Sequence, residues 1–233
     1  MMCCDDDMPR LTTTELARLA QERLAALREE GVEPHPVRGN PRQKSLARQF
    51  WGQAWMRHLA LCESGGLCLA PGRTLLRHGC VLDLRIGQGS IEALVSAREL
   101  CEVSLRVRPL EDEALEALRL ASQGRVASHI ALLEGRLDAP LLECLCDPEQ
   151  GLLPTPSDWQ MRCSCADWAE PCPHAAAAIY GAGLLIDADP SLLFKLRSLQ
   201  PQDLMQPAYC AATPIKQDAE KLASLFGIDL DID

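Results

Sequence analysis

The feature that most constrains this chain is a short run containing three cysteines and one histidine. Cys163 and Cys165 form a C-x-C pair, and after six residues Cys172 and His174 form a C-x-H pair. Structural zinc takes four such ligands in a tetrahedron, at about 2.3 Å for a thiolate and about 2.0–2.1 Å for an imidazole. A bend at Ser164 would bring the first two sulfurs together. The spacing therefore predicts one structural zinc ion held by these four residues.

The second ligand pair lies at the start of a predicted helix. Pro173 suits the first helical turn, and four consecutive alanines follow His174. Cys172 and His174 are therefore expected at a rigid helix N-terminus, whose dipole favours a thiolate. Trp168, inside the six-residue return, is expected to pack beside the site. Four protein ligands make a closed site, which indicates a structural rather than a catalytic ion.

Composition indicates a cytoplasmic protein without a membrane span. The chain has no apolar run of about 18 residues. Its acidic first residues lack the apolar segment of a secretory signal. In a reducing compartment, clustered cysteines bind metal more often than they form disulfides.

Apart from Cys3 and Cys4 near the start of the chain, the remaining cysteines of the twelve fall into two groups. Cys144 and Cys146 form a second C-x-C pair, which either lends ligands to a metal or belongs to a buried helical segment with Leu141, Leu142 and Leu145. The isolated cysteines are predicted to be small buried apolar residues, namely Cys62, Cys68, Cys80, Cys101 and Cys210.

Hydrophobic periodicity predicts an α+β fold, with a small antiparallel β-sheet flanked by helices and then the zinc finger as a short ββα-like unit. The sheet signal is a hairpin, 81–86 and 90–95 around a Gly-rich turn, followed by an alternating strand at 101–107. Helices are predicted from the Thr12 to Glu15 capping box to Gly31, over 43–61, 110–120 and 126–133, and from Asp189 to about Leu199.

These signals divide the chain into five segments. We expect an N-terminal helix (1–33), a linker with a tryptophan-containing helix (34–62), the small sheet with acidic helices (63–150), the zinc finger with its following helix (151–199) and an acidic C-terminal segment (200–233). The loop at 147–159 is either a hinge or a packed connection, which leaves one domain or two open. Residues 227–233 alternate apolar and acidic residues, which fits an edge strand or a frayed tail.

The metal motif and the helix after it resemble the SWIM-type zinc-finger family, in particular its stand-alone bacterial members. The run CSCADWAEPCPHAAAAIY looks like the usual finger of that family, and residues 189–197 resemble the segment that follows it. The resemblance extends over roughly residues 48–199. It implies a zinc-dependent binding module, proposed to contact DNA or protein, and similarity to partners of Swi/Snf-class helicases.

Two non-enzymatic functions are therefore considered. The first is a non-catalytic zinc module that binds a protein partner, such as a Swi/Snf-class helicase. The alternative is direct DNA binding by residues 34–110, which carry eleven Lys/Arg against five acids in a chain of net charge −10. Its candidate residues are Arg73, Arg77, Arg85, Arg98, Arg106 and Arg108. An enzyme is not expected, because the chain has neither a G-x-x-x-x-G-K-[ST] loop nor an H-E-x-x-H motif.

Overall fold

The computed structural model describes residues 11–43, 45–166, 169 and 171–205. Within these residues the helices are α1 (Thr13–Glu29), α2 (Phe50–Ser64), α3 (Ala70–Arg77), α4 (Asp112–Ser122), α5 (His129–Leu133), α6 (Ala139–Leu145), α7 (Pro173–Ala188) and α8 (Ser191–Leu196). The strands are β1 (Val81–Gly87), β2 (Ser90–Ser96), β3 (Leu100–Val107) and β4 (Trp159–Cys163). No helix among the described residues is both long and apolar enough to cross a membrane.

The four strands form one antiparallel sheet in the order β1-β2-β3-β4. The predicted hairpin and third strand are confirmed, with Gly87 opposite Ser90 and a turn in which Gly89 has a φ of 64°. Successive side chains of a strand point to opposite faces. One face is therefore buried, through residues such as Leu84 and Val103, while Arg85 and Glu92 lie on the other. The expected α+β architecture with a small antiparallel sheet is confirmed.

The strand that leads into the metal motif belongs to this same sheet. Trp159–Cys163 pairs with β3, with Cys163 opposite Val103 and Trp159 opposite Val107. A separate ββα-like unit was expected, with a loop over residues 147–159. Residues 147–158 contain no α-helix or strand, as expected, but Trp159 already begins β4. The finger does not form a separate unit, because the inward-facing residues Trp159, Met161 and Cys163 make β4 a fourth strand beside β3.

Helix α7 lies against the buried face of the sheet and is itself enclosed. Residues 175–183 and Ile186 are all buried, so this helix is covered on every side. It packs against all four strands and against α2, α3 and α8. The Trp55 indole donates a hydrogen bond from Nε1 to the Ile179 carbonyl oxygen at 3.1 Å, which joins α2 to the middle of α7. The second ligand pair is therefore attached to the most buried helix of the described chain.

The predicted helix starts are most accurate where the capping residues are close in sequence to the helix. The Thr12 and Glu15 capping box is present as predicted. Helix α2 begins at Phe50 rather than at residue 43, because the Asp187 carboxylate accepts the N–H groups of Arg48 and Gln49 there. The helices predicted at 110–120 and 126–133 lie at 112–122 and 129–133.

Helix α3 and the helix after Asp189 also differ from the predictions. Helix α3 was not predicted, since its eight residues include a proline and a glycine. The helix expected from Asp189 begins at Ser191 and ends at Leu196, with the Asp189 carboxylate accepting the Ser191 N–H at 3.0 Å.

Gly72 allows α3 to lie directly against α7, which generates a test of this packing. A Cβ atom at Gly72 would lie 2.4 Å from the carbonyl carbon of Ala176 and from the amide nitrogen of Ala177. Because these are main-chain atoms of a buried helix, Gly72→Ala should force the helices apart and lower the free energy of unfolding by about 1–3 kcal/mol in urea denaturation.

The matched control is Gly65→Ala, where the added Cβ would meet no atom nearer than 3.4 Å. We expect that variant to unfold within about 0.5 kcal/mol of the wild type. A Gly72→Ala protein as stable as the control would show that the two helices are not held this closely.

Candidate metal centre

Cys163, Cys165, Cys172 and His174 lie together, as their spacing predicts. Their four donor atoms are all within 4.8 Å of one another, and Cys172 is buried while the others are half-buried. A tetrahedral zinc ion with thiolate and imidazole ligands places its donors about 3.5–3.8 Å apart. Shifts of about 1 Å or less would therefore close these atoms around an ion. The group could hold a metal ion with four protein ligands.

The first ligand pair is placed by the end of β4. Cys163 is the last residue of that strand and lies on its inward side, and the chain bends at Ser164 as predicted. The Ser164 N–H donates to the Glu102 carbonyl oxygen at 3.0 Å. The Glu102 N–H in turn donates to the Ser164 hydroxyl oxygen at 3.0 Å. This reciprocal pair holds the bend against β3 and turns Cys165 toward the site.

The second ligand pair is placed by the start of α7. Cys172 is the N-cap residue, and its Sγ accepts the Ala175 N–H at 3.4 Å. Pro173 occupies the first turn, where its missing N–H leaves no bond unmade. The Cys172 Sγ and the His174 Nδ1 lie 4.0 Å apart. The predicted position of this pair at a helix N-terminus is confirmed.

Burial has a larger effect than the helix terminus on the pKa values of two thiols, those of Cys163 and Cys172. Burial raises the pKa of Cys172 to about 12, although the hydrogen bond from the Ala175 N–H lowers it. Burial likewise raises the pKa of the Cys163 thiol to about 11. The expected stabilisation of a thiolate by the helix is therefore outweighed until a cation is present. A metal ion must displace these protons, so its affinity rises with pH.

A fourth sulfur lies beside the centre, and no sequence pattern predicted its place there. Cys101, predicted to be a small buried apolar residue, is buried on the inner face of β3. Its Sγ is 3.8 Å from the His174 Nε2. Strand alternation alone places Cys101 inward, but only the pairing of β3 with β4 brings that inward face to the metal motif.

The other predicted candidates lie elsewhere or outside the described residues. The Cys163, Cys165, Cys172 and His174 group includes neither Cys144, at the end of α6, nor Cys146, which caps that helix. Burial raises the pKa of Cys146 to about 11, and the helical alternative for this pair is confirmed by α6. Trp168 and residues 227–233 lie outside the described residues.

The arginines proposed for DNA binding are divided between two sides of the molecule. Arg73 on α3 pairs with the Glu63 carboxylate at 2.6 Å and lies over the Tyr180 ring. Arg85 and Arg106 lie on the exposed face of the sheet, where Arg85 pairs with Asp83 at 3.2 Å. The set therefore does not form one patch.

The exposed face of the sheet carries a groove of about 460 Å³ beside the metal centre. Its charged side chains have both signs, with three carboxylates and one guanidinium. The lining residues are Asp83, Glu92, Ala93, Leu94, Glu102, Val103, Ser104, Arg162, Cys163 and Ser164. A metal ion bound at Cys163 would thus support one edge of this groove.

Comparison with known proteins finds a distant relative. The chain is 27% identical, over 209 residues, to the uncharacterised protein Rv2102 of Mycobacterium tuberculosis, and the match covers 82% of this chain and 72% of that protein. No model of a protein family matches the chain. No solved structure matches it either.

The closed cluster predicts the metal content of the protein and of two variants. Protein purified without chelator should contain one metal ion per chain by elemental mass spectrometry. Cys172→Ser should lose that ion because it removes one of the four donors. Cys144→Ser, a half-buried cysteine of α6 outside the cluster, should keep it. Loss of the ion in both variants, or no ion in the wild type, would contradict the ligand assignment.

Proposed function

We propose that this chain is a SWIM-type zinc-finger protein, a zinc-binding and non-catalytic module that binds a protein partner. The observation that carries the proposal is the cluster of three sulfurs and one imidazole whose donor atoms lie within 4.8 Å of one another. A catalytic zinc keeps a coordination position open for water or substrate, whereas four protein ligands fill the tetrahedron. Thiolate-rich tetrahedral sites favour zinc among the common divalent ions.

The zinc ion has a mechanical role in this proposal. It joins the end of β4, through Cys163 and Cys165, to the start of α7, through Cys172 and His174. Binding energy at a structural zinc site is folding energy, because the ligands are not assembled in the unfolded chain. The ion therefore fixes the edge strand β4 to the central helix α7 and stabilises the conformation of the exposed face of the sheet.

The groove on that face is the proposed partner surface. Its carboxylates, on Asp83, Glu92 and Glu102, face the same solvent region as the Arg162 guanidinium. Neighbouring charges of both signs suit the side chains of a protein partner. DNA binding is favoured by one continuous basic surface, whereas the arginines on this face are interspersed with carboxylates, as in the Arg85–Asp83 pair. The groove thus supports the protein-binding function over the DNA-binding alternative.

A Swi/Snf-class helicase is the proposed partner class. The support is the resemblance of residues 48–199 to stand-alone bacterial SWIM proteins, which are similar to partners of such helicases. Mixed charges around a modest groove fit an association that is specific but not dominated by apolar burial.

The test is binding of the zinc-loaded protein to a Swi/Snf-class helicase from the same organism, measured by calorimetry. Glu102→Arg reverses an exposed charge in the groove and should weaken binding about tenfold or more, about 1.4 kcal/mol. Glu143→Arg makes the same change at an exposed position of α6 and should bind like the wild type. Metal content is measured for both variants, so that loss of zinc is not mistaken for loss of contact.

Two results would contradict this proposal. One is the absence of helicase binding by the zinc-loaded wild type. The other is tight binding of duplex DNA whose affinity falls steeply with salt, which is the behaviour of a protein that neutralises phosphates. The second result would favour the DNA-binding alternative.

A further inference from the structure

The His174 ring lies between a sulfur of the metal cluster and a sulfur outside it. Its Nδ1 is 4.0 Å from the Cys172 Sγ, and its Nε2 is 3.8 Å from the Cys101 Sγ. Cys101 is 1% exposed and comes from β3, 73 positions away along the chain. The two ring nitrogens therefore face two different sulfurs, of which only Cys172 belongs to the four-donor group.

A histidine ligand requires this kind of second contact. When one ring nitrogen binds a metal ion, the other carries a proton, and the acceptor of that N–H fixes the tautomer and the orientation of the ring. Carboxylates, carbonyl oxygens and water are the usual acceptors. A buried thiol sulfur is a weaker acceptor, but it adds no charge to a site that three thiolates would already make negative.

The backbone fixes Cys101 at this place. The reciprocal hydrogen bonds between Glu102 and Ser164 join β3 to the bend that carries the first ligand pair. Cys101 immediately precedes Glu102 in β3, and on the other side of that strand it lies opposite Val95 of β2. The backbone of β3 therefore holds the Cys101 sulfur beside the site.

We propose that Cys101 is a positioning residue of the zinc centre, which accepts a hydrogen bond from the Nε2–H of His174 and so directs Nδ1 to the metal. The inference rests on the proposed zinc centre. Cys101 does not become a ligand, because the four-donor group already completes a tetrahedron. Cys101 instead controls the orientation of the His174 imidazole.

The test compares Cys101→Ala and Cys101→Ser with Cys80→Ala in the full chain. Cys80 is as deeply buried as Cys101 and lies just before β1, so its truncation reports the cost of removing a buried sulfur elsewhere in the core. Zinc affinity is measured by competition with a chromophoric chelator at one pH. The protonation of each His174 nitrogen is read from nitrogen-15 NMR of the zinc-loaded protein.

We expect Cys101→Ala to weaken zinc binding about 10–100-fold, the usual effect of losing an outer hydrogen-bond partner. Cys101→Ser should recover most of that loss, because its hydroxyl oxygen can accept the same N–H. Cys80→Ala should bind zinc like the wild type. The NMR spectrum of the wild type should show a metal-bound Nδ1 and a protonated Nε2.

Three results would overturn the inference. Zinc affinity of Cys101→Ala within about twofold of the wild type would show that the contact does not aim the ring. A metal-bound Nε2 would show that the ring faces the other way. Zinc binding by Cys80→Ala as weak as that of Cys101→Ala would assign the loss to the core. A wild-type protein that binds no zinc would instead contradict the proposed zinc centre. Failure of the Cys101 inference can therefore be told apart from failure of the proposed function.

Discussion

The structure depends on the burial of α7 between the sheet and the helices α2 and α3. This helix packs on all four strands, and its small residues allow close approach, as at Gly72 against the Ala176 and Ala177 main chain. Because both the helix and the sheet are fixed by this packing, the start of α7 lies opposite the end of β4. The four donor atoms meet at that place, so the metal would join elements that the core already brings together.

The cluster of three cysteines and one histidine was predictable because its determinants are local. The C-x-C and C-x-H spacings, the bend at Ser164 and the proline at the start of α7 all lie within twelve consecutive residues, from 163 to 174. The Thr12 and Glu15 capping box and the turn at Gly89 are equally short-range. In each case a few neighbouring side chains decide the backbone conformation, so the pattern could be interpreted without knowledge of the fold.

The features that sequence reasoning missed depend on distant contacts. The Asp187 carboxylate accepts the N–H groups of Arg48 and Gln49 just before α2, 139 and 138 positions away along the chain. The sequence around residue 43 therefore cannot predict where this helix begins. The pairing of β4 with β3 joins segments separated by the whole acidic helical region. Cys101 is close to His174 only through that pairing. The alternation of β3 showed that Cys101 faces inward, and nothing local showed what it faces.

The most direct measurement is X-ray absorption at the zinc edge of the purified protein in solution. A closed centre of three thiolates and one imidazole predicts three sulfur neighbours at about 2.3 Å and one nitrogen at about 2.0–2.1 Å. Four sulfur neighbours would mean that Cys101 or another cysteine replaces His174. A water oxygen in the first shell would mean that the centre is open, and an open centre would contradict a purely structural zinc ion.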